Sequence, residues 1–238
     1  MMKRLLYLML FLLPLHPLQA QEQQLQVTKI APDVYVHTSY KMLDGVLFPS
    51  HGLLISTTDG VVMIDTGWGN EPTQQLLSWI KTNLKQPVKM CIVTHAHNDR
   101  IGGIGLLQQN NIIVFGSEQT ATLASAQNAG TIDSSLPLDK ELTIGDRKLI
   151  VYYPGAGHTA DNLVVYLPKQ KILFGGCLVK DAQATNLGNT ADADLTNWPH
   201  AIKAVQQRFP KAKTVIPSHG PWGGPTALTH TLKLLENR

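Results

Sequence analysis

Charged residues are scarce in this 238-residue chain, and no basic cluster is present. Charged side chains make up 16% of the residues and hydrophobic ones 43%, which is typical of a globular protein and excludes a disordered one. The formal net charge is only +3, and without a run of Lys or Arg nothing predicts binding to nucleic acid. Linkers and low-complexity segments are also lacking, so the sequence predicts a single globular unit.

Long apolar runs are lacking except at the N-terminus. Lys3 and Arg4 precede an apolar segment at 5–15, and the small residue Ala20 follows shortly after it. Because this segment is too short to cross a bilayer, we predict that residues 1–20 are a secretory signal peptide cleaved after Ala20. We expect a periplasmic mature protein without a membrane anchor, and removal of the two basic residues lowers its formal charge from +3 to +1.

Only two cysteines occur, Cys91 and Cys177. In an oxidising compartment two cysteines predict one disulfide. Cys91, however, lies between apolar neighbours in a predicted strand, which is typical of a buried and inert thiol. Cys177 follows two glycines at the end of another predicted strand, where a metal could use its sulfur. Both interpretations are open at this point.

Secondary-structure patterns repeat one plan along the chain, with strands followed by helices in each half. Helical spacing is found in five segments, 71–84, 103–109, 118–127, 195–208 and 225–236. This order predicts an α/β protein in which two β-sheets pack together with helices outside.

The motif His95-Ala96-His97-Asn98-Asp99 carries the strongest functional signal. It follows a predicted buried strand at 88–93, and strand ends are the usual place for sites in layered α/β proteins. Imidazole and carboxylate groups are common zinc ligands. Taken alone, the motif fits a polar surface turn about as well as a metal site.

Three further segments each offer one metal donor in a glycine-containing turn after a strand. These donors are His158, Cys177 and His219. Together with the histidine motif they supply six donors, which exceeds the three protein ligands of one catalytic zinc. Six donors suit two zinc ions with three ligands each, about 3.5–4 Å apart. Four other histidines fit no donor set, and we interpret them as structural or surface residues: His37, His51, His200 and His230.

These motifs resemble the class B metallo-β-lactamases of the metallo-β-lactamase superfamily, specifically the first subclass with its His-His-His and Asp-Cys-His zinc sites. The resemblance covers nearly all of residues 21–238 and rests on six segments: 64–66, 95–103, 155–162, 175–180, 187–189 and 218–220. It implies a four-layer αββα sandwich with two mixed sheets, two pseudo-symmetric halves that divide near residue 130, and two Zn²⁺ ions per chain.

The resemblance also implies which residue binds which ion. One zinc would be held by His95, His97 and His158, and the other by Asp99, Cys177 and His219. Cys177 would then be a thiolate ligand, and this favours the metal over the disulfide.

Four polar residues would assist the metals. By resemblance Lys180 anchors the substrate carboxylate and Asn189 donates near the lactam carbonyl. Asp65 ends a buried strand, where it could accept the second N–H of a metal-bound histidine. Arg100 could lie under the Asp-Cys-His zinc and offset its negative ligands. Without the metal motifs they would be a solvated lysine, a turn asparagine, a capping aspartate and a surface ion pair.

Apolar residues between 41 and 51 predict a long hairpin whose tip includes Val46, Leu47 and Phe48. In the family this loop forms a flap over the substrate, and Trp68 would line the same groove. The alternatives are a satellite hydrophobic cluster for the tip and core packing for Trp68.

The resemblance therefore implies a β-lactamase that confers antibiotic resistance. It would hydrolyse penicillins, cephalosporins and carbapenems with a zinc-bound hydroxide that Asp99 orients. Its partner would be a small β-lactam molecule, and we expect a monomer that binds no nucleic acid. Two departures, Gly67 where many members have proline and Ser218 where many have glycine, affect the expected stiffness of loops and the geometry around the ligands.

Two other functions compete with this interpretation. Thioesterases, lactonases and phosphodiesterases of the same fold have histidine directly after the aspartate, where this chain has Arg100, and a bridging aspartate instead of Cys177. A non-catalytic periplasmic zinc protein would close its coordination shell, whereas these donors leave positions open.

Overall fold

The computed structural model describes residues 25–237, so the predicted signal peptide lies outside the described residues. The strands are β1 (Gln26–Ala31), β2 (Val34–Leu43), β3 (Val46–Thr57), β4 (Gly60–Ile64), β5 (Val88–Ile92), β6 (Val114–Phe115), β7 (Glu141–Ile144), β8 (Arg147–Tyr152), β9 (Val164–Leu167), β10 (Ile172–Gly176) and β11 (Thr214–Pro217). The helices are α1 (Asn70–Trp79), α2 (Asn98–Ile101), α3 (Ile104–Gln109), α4 (Glu118–Ala126), α5 (Trp198–Arg208) and α6 (Thr226–Glu236). In residues 25–237 no helix combines the length and the apolar character needed to cross a bilayer.

The strands form two mixed sheets. The first has the order β1-β2-β3-β4-β5-β6, with antiparallel pairing up to β4 and parallel pairing beyond it. The second has the order β11-β10-β9-β8-β7, in which only β10 and β11 are parallel. The first sheet uses strands up to residue 115 and the second uses strands from 141 onwards. The expected pair of mixed sheets is confirmed.

The core consists of three clusters of buried side chains, because side chains on each strand alternate between the two faces of its sheet. In β3, Leu53 and Ile55 join the cluster between the two sheets, whereas Leu54 between them joins the cluster under α1 and α3. This alternation is the period of two that a strand buried on both faces shows. A third cluster packs the second sheet against α5 and α6, with Trp198 fully buried in it. The four-layer αββα sandwich is therefore confirmed.

Two predicted elements are shorter than expected. The helix predicted at 71–84 ends as α1 at Trp79 and continues as a π-helical turn, Ile80–Leu84, whose cap Lys85 is left-handed with φ 54°. Pro87 follows, and proline is common just beyond a helix end. The helix predicted at 195–208 begins only at Trp198, as α5. Strand β6 is short because the Ile112 N–H still donates to Leu107 O at the end of α3.

The predicted long hairpin is confirmed. Strands β2 and β3 pair without interruption to Leu43 and Val46, around Asp44 and Gly45 with φ 48° and 77°. Positive φ at both central residues is the geometry of a type I′ turn, which matches the twist of paired strands. The same ribbon therefore runs from an exposed tip down into the sheet core.

Candidate metal centre

The six predicted donors meet where strands of both sheets end. His95, His97 and Asp99 follow β5, with Asp99 in the first turn of α2. His158 lies in the loop after β8, Cys177 directly follows β10, and His219 follows β11. The chain turns into Cys177 through Gly176, whose positive φ of 57° glycine adopts without steric cost.

The donor atoms form one continuous cluster. Three overlapping groups have ligand atoms within 4.8 Å of one another: His95 with His158 and Cys177, His95 with His97 and Asp99, and Asp99 with Cys177 and His219. We name His95, His97 and His158 the tri-histidine triad, and Asp99, Cys177 and His219 the mixed triad. The mixed triad is itself one of these groups, and the tri-histidine triad adjoins it through His95 and His158, which share a group with Cys177.

Within the tri-histidine triad the rings meet edge to face. Ring centroids lie 4.7 Å apart for His95 and His97, 5.2 Å for His95 and His158, and 5.1 Å for His97 and His158. His97 Nδ1 and His158 Nε2 face each other at 3.3 Å. His95 Nε2 is buried and has no hydrogen-bond partner among the described residues. A buried nitrogen of this kind is costly unless it binds something, so the triad fits a metal ion.

Sulfur and oxygen donors are in contact in the mixed triad. Cys177 Sγ lies 3.8 Å from Asp99 Oδ2 and 3.6 Å from His219 Nε2. The distance between Asp99 Oδ2 and His219 Nε2 is 3.5 Å. Both cysteines are free, so the disulfide interpretation is wrong. Cys91 is buried in β5, and burial raises the pKa of its thiol well above the ordinary value, as expected of an inert thiol.

Arg100 lies fully buried under the mixed triad, not on the surface. Its Nε and Nη2 donate to Asp99 Oδ2 at 2.9 and 2.6 Å, and its Nη1 donates to Asp65 Oδ2 at 3.0 Å. The same guanidinium donates to the Ser50 hydroxyl and to the His51 carbonyl. One cation is thus shared by two buried carboxylates, and their charge holds it in place.

This guanidinium keeps the mixed triad anionic. Burial by itself raises the pKa of Cys177, but Arg100 and the neighbouring histidines lower it, and the net pKa is well below the ordinary value. Burial likewise raises the pKa of Asp99, Arg100 lowers it, and the net pKa is lowered. A thiolate and a carboxylate beside an imidazole form a donor set that zinc prefers.

The imidazoles respond to burial and to the thiolate. Burial lowers the pKa of His158 to about 4, so this ring is neutral at pH 7, as a ligand must be. Burial also lowers the pKa of His95 and His219, but the Cys177 thiolate raises it in both, and the net pKa lies above the ordinary value. Cys177 therefore also affects the tri-histidine triad.

Asp65 supports the centre, but not by the expected direct contact with a histidine. It follows β4 with a φ of 62° and accepts the N–H of Thr94 at 2.7 Å and its hydroxyl at 3.0 Å. Thr94 Oγ1 in turn lies 3.4 Å from His95 Nδ1. Thr94 therefore lies between Asp65 and His95, and the carboxylate binds Arg100 directly instead.

Asp192 is a partner that the sequence analysis missed. Its Oδ2 lies 2.9 Å from His97 Nε2, which directs Nδ1 of that ring toward the other histidines. The aspartate is in an irregular loop, 95 positions from His97, with 65% of its side chain exposed. Neither a motif nor a periodicity marks it, so only the folded chain reveals the pair.

Lys180 lies beside the centre and Asn189 lies in an exposed turn. The Lys180 ammonium is 5.4 Å above the ring of buried Trp198, and its backbone N–H donates to Thr231 Oγ1 at 2.9 Å. Burial lowers the pKa of Lys180, while Cys177 and Asp99 oppose that shift. The Asn189 Oδ1 accepts the N–H of Ala191 at 3.1 Å, so the structure does not bring this oxygen into the donor cluster.

Trp68 lies beside the mixed triad, and the hairpin tip is exposed. The Trp68 ring is half-buried, 6.2 Å from the His219 ring, with the Lys41 ammonium 5.6 Å above it. Val46 and Phe48 are 56% and 42% exposed and Leu47 is half-buried, so the tip is not a satellite core cluster. Trp68 therefore presents an apolar surface beside His219, and the strand that carries the tip contacts His219 through Pro49 O.

Comparison with known proteins identifies the family. Residues 45–219 match the family model of the metallo-β-lactamase superfamily. The chain is 39% identical over 212 residues to a type 2 metallo-β-lactamase of Bacillus sp. (strain 170), covering 89% of this chain and 82% of the relative.

Solved structures agree. A metallo-β-lactamase of Pontibacter korlensis shares 61% identity at a TM-score of 0.88, over 90% of this chain and all 100% of that one. Another from Pseudomonas aeruginosa, solved in a mono-zinc form, shares 37% identity at a TM-score of 0.84, over 90% and 96%. The chain therefore belongs to the metallo-β-lactamase superfamily and is a metal-binding hydrolase.

Proposed function

We propose that this protein is a periplasmic, dizinc β-lactamase that hydrolyses the lactam amide of penicillins, cephalosporins and carbapenems and so confers antibiotic resistance. The observation that carries the proposal is the pair of adjoining triads, one of three imidazoles in edge-to-face contact and one containing a buried thiolate and carboxylate. The similarity to β-lactamases, including a relative in a mono-zinc form, supports both the substrate and the metal.

One Zn²⁺ would be held by the tri-histidine triad and the other by the mixed triad. Zinc supplies a Lewis acid and lowers the pKa of a bound water to about 7, so that hydroxide is available at neutral pH. Three protein ligands for each ion leave positions open for water and substrate, as in catalytic sites. In a closed structural site, protein atoms would occupy all four coordination positions of the metal ion.

Asp99 would orient the attacking water. Arg100 lowers the pKa of this carboxyl, so it is ionised at neutral pH and can accept a hydrogen bond from the water. Arg100 and Ser50 both donate to Oδ2, which fixes the carboxylate plane. Hydrolysis then joins the water oxygen to the lactam carbonyl carbon and breaks the C–N bond of the ring. The electron pair of that bond stays on the lactam nitrogen, which takes one proton from the water, and the carbonyl carbon becomes a carboxylate.

Substrate would be positioned by groups around the donors. The Lys180 ammonium would bind the carboxylate beside the lactam nitrogen, and the Asn189 amide N–H would donate to the lactam carbonyl oxygen. Trp68 and the hairpin tip with Val46, Leu47 and Phe48 would cover the apolar side groups of the substrate. A small ligand bound to a monomer is sufficient for this chemistry.

A serine mechanism has little support from the geometry. One Ser-x-x-Lys string occurs, Ser78-Trp79-Ile80-Lys81, the spacing found in serine β-lactamases. It spans the end of α1 and the start of the π-helical turn, where Ser78 is exposed and its hydroxyl donates to Gln74 O at 2.9 Å. This hydroxyl is bound to its own helix, and the lysine is exposed as well.

The test is hydrolysis of a chromogenic cephalosporin by the purified mature protein. We expect turnover that a chelator abolishes and added zinc restores. Turnover that resists the chelator would exclude the metal mechanism, and no turnover by zinc-loaded protein would favour another substrate of the same fold. The periplasmic location is tested by comparing the activity released by osmotic shock from cells that express the chain with and without residues 1–20.

A further inference from the structure

His51 is a buried histidine of β3 that belongs to neither triad. We propose that it is a positioning residue, which holds the loop around His219 so that the mixed triad can bind its metal ion. The inference rests on the proposed dizinc function. It adds a residue outside the ligand set whose loss should weaken the second metal site selectively.

Its bonds enclose His219 on both sides. The His51 backbone N–H donates to Ser218 O at 2.8 Å, and its Nε2 lies 2.9 Å from Gly220 O. A carbonyl oxygen only accepts, so the hydrogen must be on Nε2, and Nδ1 accepts from the Thr38 hydroxyl at 2.9 Å. Both ring nitrogens are thereby used, and the residues before and after His219 are tied to one strand.

Strand β3 also sets the orientation of the ligand ring itself. His219 Nδ1 donates to Pro49 O at 2.6 Å, two residues before His51, and this leaves Nε2 facing Cys177 and Asp99. A ring held by a carbonyl at one nitrogen presents the other to a metal. The bonds of His51 keep the loop at the distance where this contact forms.

The same residue contacts the cation under the triad. The His51 carbonyl accepts from Arg100, whose guanidinium binds Asp99. The ring packs edge to face against Trp222, with centroids 5.2 Å apart. Burial lowers the pKa of His51 to about 4, so the ring makes these bonds uncharged at neutral pH. His51 thus contacts the loop that carries His219 directly and Asp99 through Arg100.

A matched control lies on the adjacent strand. His37 in β2 is also buried, and its Nε2 contacts Ile64 O at 3.2 Å, in the sheet core. It makes no bond to the His219 loop among the described residues. Loss of His37 should therefore affect folding without selecting one metal site.

The experiment measures zinc binding in His51→Leu, His51→Gln and His37→Gln. Stoichiometry and both dissociation constants come from competition with a chromogenic chelator, and the thiolate absorption of the cobalt-substituted protein reports the mixed triad. We expect His51→Leu to weaken the second ion roughly 10- to 100-fold and leave the first nearly unchanged. His51→Gln should recover most of the affinity, because its amide N–H can reach Gly220 O.

The outcomes separate the two proposals. Wild-type affinity for both ions in His51→Leu, or an equal loss of second-site affinity in His37→Gln, would overturn the role of His51. A wild-type protein that binds only one zinc would overturn the dizinc function and the inference with it. If His51→Leu does not fold, His51→Ser removes the same ring bonds, and the same selective loss of the second ion is expected.

Discussion

The tri-histidine triad and the mixed triad share an edge but differ in what lies behind them. Behind the first are a threonine hydroxyl near His95 and the exposed Asp192 beside His97. Behind the second is the fully buried Arg100, which binds Asp99 and Asp65. The first offers imidazole donors alone, whereas the second contains a thiolate and a carboxylate that depend on one cation.

Because of this difference, the two sites should lose their metal ions for different reasons. The tri-histidine triad contains no thiolate or carboxylate whose negative charge must be offset, so it depends mainly on the placement of its loops. A buried thiolate and carboxylate need their counter-charge, and removal of one partner from a buried ion pair is far more costly than the loss of a surface pair. The mixed triad should therefore be the more fragile half.

The largest effect is expected for Arg100→Leu. Loss of the buried cation leaves Asp65 and Asp99 uncompensated, so the free energy of unfolding should fall by about 3–5 kcal/mol. Denaturant unfolding of the metal-free protein measures it. The matched control is Arg208→Gln, which removes an exposed pair with Asp139 and should cost about 0–1 kcal/mol. Equal losses in the two variants would contradict the role of Arg100.

Removal of the sulfur donor should come next. Cys177→Ser keeps the size of the side chain but replaces a thiolate with a neutral hydroxyl, a poor zinc ligand. We expect loss of the second ion, by more than the roughly 10- to 100-fold that an outer partner costs. Metal analysis after dialysis measures it, with Cys91→Ser as the control. Unchanged dizinc content would argue against the mixed triad as a site.

Lys180→Gln tests the charge near the anionic half. The ammonium lies over Trp198, and a charge-assisted hydrogen bond contributes about 1.5–3 kcal/mol. We expect a roughly 10- to 100-fold rise in KM with a smaller change in kcat and unchanged zinc content. An ester of the same substrate should not distinguish the variant from wild type. Equal loss on acid and ester would indicate a structural role instead.

Asp192→Ala should give the smallest effect, because the aspartate is exposed. Loss of its bond frees the tautomer and orientation of His97, and we expect the first ion to bind about 10-fold less tightly. Chelator competition measures this, with Asp194→Ala in the same loop as the control. Weaker binding of the second ion alone would contradict the assignment of Asp192 to the tri-histidine triad.

Much of the fold and all six donors could be predicted from the sequence. Strand period and helix spacing are local signals, and His95, His158 and Cys177 each follow a predicted strand, which brings them to one edge. The residues that hold the donors in place were harder to predict. Asp192 lies in an irregular loop. His51 looked like an isolated histidine in the sequence, because the hydrogen bond that gives it a role is to Gly220, 169 positions away. Long-range hydrogen bonds leave no periodic trace in a sequence.

Both thiols are unpaired, so folding does not require the formation of a disulfide. No covalent cross-link contributes to the stability of residues 25–237, so the chain should reach the same fold in a reducing cytoplasm as in an oxidising compartment, without help from disulfide-forming enzymes. What an oxidising compartment does threaten is the reactive sulfur at the end of β10, until a metal ion covers it. On the proposed dizinc function, supply of zinc rather than supply of oxidant would set how much active protein a cell obtains.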